Sequence, residues 1–164
     1  MKPVALIIGA GDALGGAIAK RFARAGYTAC VTRRSAEKLA PLKAQIEAVG
    51  GVCHTFGSDA REEEEVIKLF AQIEADIGPV EVFVFNIGGN VRFGITEMTA
   101  RVYRKVWEMC AFAGFLTGRE AARVMLPRKK GTVIFTGATA SVRGGAGYSP
   151  RSRSPGPCRD SRRV

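Results

Sequence analysis

The 164-residue chain is predicted to form an α/β fold, with a three-layer parallel sheet, helices on both faces and strand order 3-2-1-4-5. Three observations predict it. Short apolar runs alternate with stretches of helical period, as in successive βαβ units. The first run, Val4–Ile8, is continuously apolar, which suits a parallel strand buried on both faces. That run enters the glycine-rich turn Gly9-Ala10-Gly11-Asp12-Ala13-Leu14-Gly15-Gly16, and a helix follows at once. With right-handed crossovers and a switch point after strand one, these units give the stated order.

Each element has a local cause. In the first helix, Leu14–Ala25, residues Leu14, Ala17, Ile18, Phe22 and Ala25 recur at helical spacing, and Gly26 closes it. Thr28–Thr32 is a β-branched and apolar second strand. Ser35 is placed to cap a second helix, with Lys38 in its first turn, running to Val49 before Gly50-Gly51. Pro41 lies near the start of that helix, where a missing N–H matters least. Val52–Phe56 is strand three. The third helix is predicted to begin near Arg61, because the run Glu62–Glu65 places negative charge at a helix N-terminus. Its apolar face is Val66, Leu69, Phe70 and Ile73, and Gly78-Pro79 ends it. Val80–Phe85 is strand four, followed by the turn Asn86-Ile87-Gly88-Gly89-Asn90. A long helix is predicted from about Thr99 to Leu126, bent near Ala111–Gly114 and stopped by Pro127. Gly131 precedes strand five, Thr132–Thr136.

The turn after strand one has the layout of a dinucleotide pyrophosphate cradle. Glycines admit a close backbone approach, and the first amides of the next helix favour an anion. Gly9, Leu14 and Gly15 are the expected pyrophosphate contacts through backbone amides, with Asp12 in the same turn. Arg33 and Arg34 follow strand two, at the ribose end of such a site. An acidic residue there would hold the 2′-hydroxyl of NAD, whereas arginine suits the 2′-phosphate of NADP, so NADP(H) is favoured over NAD(H). Asp59, after strand three, is placed either to hydrogen-bond the adenine or to cap helix three. Asn86 and Gly88 lie at the end of strand four, in the crevice at the switch point.

Together these segments make residues 1–148 resemble the short-chain dehydrogenase/reductases, whose domain is of the Rossmann type. The resemblance rests on the glycine turn, Arg33-Arg34, Asp59-Ala60, Asn86-Ile87-Gly88, and residues 131–144 with strand five. It implies hydride transfer between a nicotinamide dinucleotide and a small-molecule alcohol or carbonyl. It also implies an active site of an asparagine in the long helix, a serine after strand five, and a tyrosine and lysine four residues apart. The chain departs from that set. The second motif glycine falls on Ala13, and the first asparagine of the strand-four turn on Phe85. The helix asparagine falls on Cys110 and the serine on Ala138, with Thr136 and Thr139 as neighbours. Family spacing puts the tyrosine on Arg151 and the lysine on Pro155, and four residues after Tyr148 stands Ser152. No catalytic residue is therefore assigned. A carbonyl reduction needs a proton donor of tuned pKa at the oxygen, which the lysine-tyrosine pair normally supplies. One branch of the family lacks this set and has an incomplete glycine motif, and Ala13, Cys110 and Ala138 resemble that branch. A catalytically inactive dinucleotide-binding protein is the alternative to an oxidoreductase.

Residues 149–164 read as a disordered Arg/Ser/Pro-rich tail, with five arginines, three prolines and no period. A truncation or a reading-frame shift after Tyr148 is one explanation. Back-translated with G/C-rich codons, Pro150–Pro155 yields Ala-Phe-Ala-Leu-Ala in an adjacent frame, a run fit to open a helix. The nucleotide sequence of the gene decides this, because the adjacent frame must continue into helix- and strand-like protein. The resemblance implies later elements covering strand five, so an exposed edge and a homo-oligomer are expected.

Charge and composition bound the rest. The net charge is +10, of which the last sixteen residues hold five arginines and one aspartate. A basic tail can hold nucleic acid, but a solvated tail explains the same residues, and nucleic acid is not an expected partner. No apolar stretch approaches the ~20 residues of a membrane span, and no signal peptide is read at the start. Cys30, Cys53, Cys110 and Cys158 form no metal-type pair, and His54 has no partner pattern, so no metal site is expected. Reduced thiols point to the cytoplasm.

Overall fold

In the computed structural model, residues 2–138 are described, apart from Asn90 and Ile95. The expected tail, Tyr148, and the positions Arg151 and Pro155 lie outside the described residues. Five strands form one parallel sheet: β1 (Val4–Ile8), β2 (Thr28–Arg33), β3 (Val52–Gly57), β4 (Val80–Phe85) and β5 (Thr132–Phe135), in the order β3-β2-β1-β4-β5. The sequence-predicted order and class are thus observed.

β1 is the axis of the domain. Its five residues are at most 2% exposed, and they alternate between two cores. Val4, Leu6 and Ile8 face α3 (Glu63–Asp76) and α5 (Ala113–Met125), where Val66, Leu69, Phe70, Ile73, Ala113, Ala121 and Met125 are buried. Ala5 and Ile7 face α1 (Leu14–Arg24) and α2 (Ala40–Glu47), meeting Ala19, Ala23, Leu42 and Ile46. A strand covered on both faces has no polar side, which is why it reads as an unbroken apolar run.

Three boundaries differ from expectation. Ser35 does not cap a long helix. It precedes a 3-10 turn, Ala36–Leu39, and its hydroxyl donates to the Glu37 carboxylate. The α-helix starts only at Ala40, so Pro41 sits in its first turn. Proline lacks an N–H, so a helix started at Ser35 would have lost a bond in its interior. α3 begins at Glu63 with Glu62 as N-cap, and its first turn carries Glu63, Glu64 and Glu65. The predicted long helix divides into α4 (Ala100–Trp107), a π-helical turn (Glu108–Phe112) and α5. Thr99 caps α4, its Oγ1 accepting the Val102 amide at 3.3 Å. The interruption overlaps the predicted bend at Ala111 and Phe112, and π turns of this kind concentrate at functional sites.

Candidate functional site

The C-terminal ends of β1, β2, β3 and β4 open on a cleft of about 410 Å³. Gly9, Arg33, Arg34, Asp59, Asn86 and Gly88, all expected site residues, line it together. This is the crevice at the switch point, where open α/β sheets bind ligands.

Glycine is required on its β1 side by sterics. Gly9 has φ +84°, and a Cβ there would lie 2.7 Å from the Asn86 carbonyl oxygen. A Cβ on Gly15 would lie 2.6 Å from the Gly9 carbonyl oxygen and 2.9 Å from Ala10 Cα. A Cβ on Gly16 would collide with the Gly11 carbonyl. These contacts let α1 start directly against the end of β1. Ala13 is the exposed N-cap residue, and its φ of −99° lies on the side open to residues with a Cβ, so the turn does not demand glycine for a left-handed backbone there. No side chain caps α1, and its first turn holds no acid. The leading amides of that helix therefore remain suited to an anion.

The individual roles in the turn differ from residue to residue. The Gly9 amide donates to the Thr32 carbonyl at 3.2 Å, and the Ala10 amide to the same oxygen at 3.0 Å. Gly9 therefore contributes shape, with its amide already bonded. Gly15 is buried beneath the turn, Leu14 lines a neighbouring cavity, and Asp12 is exposed and lines neither space.

The β2–β3 side is cationic. Lys38 and Arg61 join Arg33 and Arg34 around the cleft, against the single carboxylate of Asp59. Arg33, Arg34 and Lys38 form no ion pair with the described residues. Asp59 instead engages Arg61. The guanidinium donates from Nε to Oδ1 at 2.9 Å and from Nη2 to Oδ2 at 2.5 Å, and the Arg61 amide adds a bond to Oδ1 at 3.1 Å. Those hydrogen bonds hold the Asp59 carboxyl below its usual range. Of the two roles weighed for Asp59, the side-chain cap of helix three is not seen. Its carbonyl accepts the Glu62 amide at 2.9 Å, while its carboxylate faces Arg61.

Asn86 ties the site together. Its Nδ2 donates to the Gly9 carbonyl at 3.1 Å, and its Oδ1 lies 3.0 Å from the Thr136 hydroxyl. The ends of β1, β4 and β5 are thereby linked through one side chain. Asn86, Ile87 and Gly88 also line a second cavity of about 710 Å³, so the two spaces meet at this turn. Cys110, Thr136 and Ala138 line the larger one.

Sequence reasoning missed Lys38 and Arg61 as cleft residues. Lys38 reaches the cleft because the 3-10 turn replaces a helix start. Arg61 does so because it pairs with Asp59 two residues before it, and that short spacing was a usable signal.

The short chain dehydrogenase family profile matches residues 3–154. The chain belongs to the short-chain dehydrogenase family. A short-chain dehydrogenase from Rhodopseudomonas palustris is 51% identical, with TM-score 0.86, covering 92% of this chain and 70% of that one. A metagenomic short-chain oxidoreductase in complex with NADP is 25% identical, with TM-score 0.82, covering 91% and 70% of the two chains. Gluconate 5-dehydrogenase of Gluconobacter oxydans (strain 621H) is 29% identical over 152 residues, which is 93% of this chain and 59% of that protein. The chain spans between 43% and 59% of the length of seven curated relatives that it matches. Cys110 and Ala138, the residues on which the sequence resemblance puts the helix asparagine and the serine, both line the larger cavity. Among the described residues, no three His, Cys, Asp or Glu side chains could hold a metal ion, and no helix is long and apolar enough to cross a membrane.

Proposed function

We propose that the chain binds NADP(H) in the cleft, in preference to NAD(H). The observation that carries this is the cluster of Arg33, Arg34 and Lys38, free of ion pairs with the described residues, on the β2 side of a glycine-built anion cradle. A 2′-phosphate placed there meets Arg33, Arg34 and Lys38, while Asp59, the one carboxylate lining the cleft, is bonded to Arg61; the 2′-hydroxyl of NAD meets no acid at the end of β2. The leading amides of α1 would hold the pyrophosphate, and Gly88 and Asn86 would border the nicotinamide end. Asp59 would accept the adenine amino group on the carboxylate edge left by Arg61. When bound, the dinucleotide supplies or accepts the hydride.

Oxidation or reduction of an alcohol or carbonyl is the family's chemistry, but this chain is proposed to bind the dinucleotide without turning over. Cys110 and Ala138 occupy two of the positions that would orient a substrate and a proton donor. Calorimetric titration of the full chain and of an Arg33→Ala/Arg34→Ala variant tests the binding. Loss of charge-assisted bonds of about 1.5–3 kcal/mol predicts that NADPH affinity falls roughly ten- to a hundredfold in the variant while NADH affinity holds. Equal losses for both dinucleotides would remove the 2′-phosphate role. A measurable rate on a carbonyl panel, abolished with cofactor binding, would remove the claim of no turnover.

A further inference from the structure

The larger cavity begins where the cofactor cleft ends, sharing Asn86, Ile87 and Gly88 with it. Its chemistry is the opposite of the cleft's. Among the described residues, no side chain that lines it carries a charge at neutral pH. Its walls are aromatic. Trp107 and Phe112 stack with ring centroids 5.6 Å apart and planes at 20°, and Phe85 and Phe135 meet at 5.8 Å. Trp107 is 48% exposed, Phe115 58% and Phe135 54%, so the rings present open apolar surface to the cavity and to water. The polar groups at its floor already have partners. Asn86 is bonded to Gly9 and Thr136, and the Thr136 hydroxyl lies 3.2 Å from the Phe85 carbonyl and 3.0 Å from Asn86 Oδ1. The volume, about 710 Å³, is that of a small-molecule site.

We propose that this cavity takes an uncharged, ring-bearing apolar molecule, an alicyclic or aromatic ketone or alcohol, and rejects carboxylates. The placement of that molecule beside the nicotinamide rests on the cofactor reading above; the cavity's selectivity does not. Flat rings pack against the Trp107–Phe112 stack and against Phe135. A carboxylate in the same place would be desolvated with no cation among the lining residues to receive it. Sugar acids therefore lack the recognition group they need here.

The chain carries its own reporter, because Trp107 is the only tryptophan. The full chain is titrated with 4-tert-butylcyclohexanone and with 4-tert-butylcyclohexanecarboxylate, which share the tert-butylcyclohexane body and differ in the head group, a neutral carbonyl against a charged carboxylate; neutral 4-tert-butylcyclohexanecarboxamide, close in shape to the carboxylate, is the control and is expected to bind with the ketone's affinity. All three are run with and without NADPH, and NADPH binding is measured separately by calorimetry. The expected result is a saturable change in Trp107 emission with the ketone, and at least tenfold weaker binding of the carboxylate. Phe115→Lys, a change at an exposed wall position, is expected to reverse that order by at least tenfold. Cys110 gives a second readout on the unaltered chain: the ketone is expected to slow its reaction with N-ethylmaleimide, mapped by mass spectrometry, while the carboxylate is not. Carboxylate binding as tight as the ketone's, or no emission change and no protection of Cys110, would overturn the proposal. Absence of NADPH binding with the ketone still bound would overturn the cofactor reading alone.

Discussion

Gly15→Ala separates a residue that shapes the site from one that merely completes the fold. Its added Cβ meets the Gly9 carbonyl oxygen at 2.6 Å, Ala10 Cα at 2.9 Å and Asn86 Nδ2 at 2.9 Å. Two of these partners are backbone in the turn itself, so neither can swing away. Restoring ordinary contact requires the start of α1 to retreat by about 0.8 Å from the end of β1. Overpacking of this kind costs roughly 1–3 kcal/mol, and alanine's better helix propensity offsets about 1 kcal/mol. The net loss of stability is therefore about 1 kcal/mol, read from urea unfolding. The effect on binding is expected to be larger, because the displaced amides are those proposed to hold the pyrophosphate. Losing one charge-assisted bond of about 1.5–3 kcal/mol raises the NADPH dissociation constant roughly ten- to a hundredfold. Gly26→Ala is the control. Gly26 has φ +90° and nothing within 4 Å, at the far end of α1. It should lose about 1–2 kcal/mol of stability from the left-handed backbone, with NADPH affinity unchanged. Calorimetry on both variants decides the matter. If Gly15→Ala binds NADPH within twofold of the parent chain, or Gly26→Ala weakens it equally, the steric account of the cradle is refuted.

Four other outcomes are expected. Arg61→Ala should return the Asp59 carboxyl toward its ordinary range, seen as an upward-shifted carboxyl titration by NMR; an unshifted titration would show that Arg61 does not set it. Because the Asp59 pKa is lowered in the folded state, the pair's stabilisation is complete above the ordinary carboxylate range and disappears as pH falls through the lowered value. Acid unfolding of the parent chain should show that loss, and Arg61→Ala should lack it. Burial pushes the Cys30 thiol up to about 12 and Cys53 up to about 11. Iodoacetamide at neutral pH should thus label Cys110 well before either, and equal rates by peptide mapping would contradict the buried placement. Val133, Ile134 and Phe135 of β5 are exposed, and among the described residues only β4 pairs with that strand. Sedimentation velocity should show self-association that Ile134→Lys reduces, whereas a monodisperse parent monomer would count against an adhesive edge.

The strands were the most legible part of the sequence, and for one reason. β1 is covered on both faces and β4 nearly so, so burial writes itself as apolar residues, unbroken in β1 and interrupted only by Glu81 in β4, with abrupt ends at Gly9 and Asn86. The cradle was legible because glycine marks sterically closed positions, and the closure falls on Gly9, Gly15 and Gly16, whereas a Cβ on Gly11 would meet nothing within 4 Å. Helix starts were read less well. Ser35 offers the same hydroxyl to a 3-10 turn as to an α-helix, and only the demand that Pro41 occupy a first turn fixes the outcome. The Arg61–Asp59 pair could be read from its two-residue spacing, but the gathering of Lys38 and Arg61 around one cleft depends on where β2 and β3 end relative to each other, a tertiary fact with no local signature. The aromatic cavity was invisible for the same reason. Trp107 and Phe112 stack across a π-helical turn that shifts the face expected from a regular helix.

The central claim is that the ends of β1 and β2 build an anion cradle that selects the extra phosphate of NADP(H). The most direct measurement is a paired calorimetric titration of the folded chain with NADPH and NADH, with circular dichroism recorded on the same sample. The expected result is saturable binding of both, with NADPH at least tenfold tighter and the difference shrinking as salt is raised. A folded sample that binds neither dinucleotide, or binds NADH as tightly as NADPH, would contradict it.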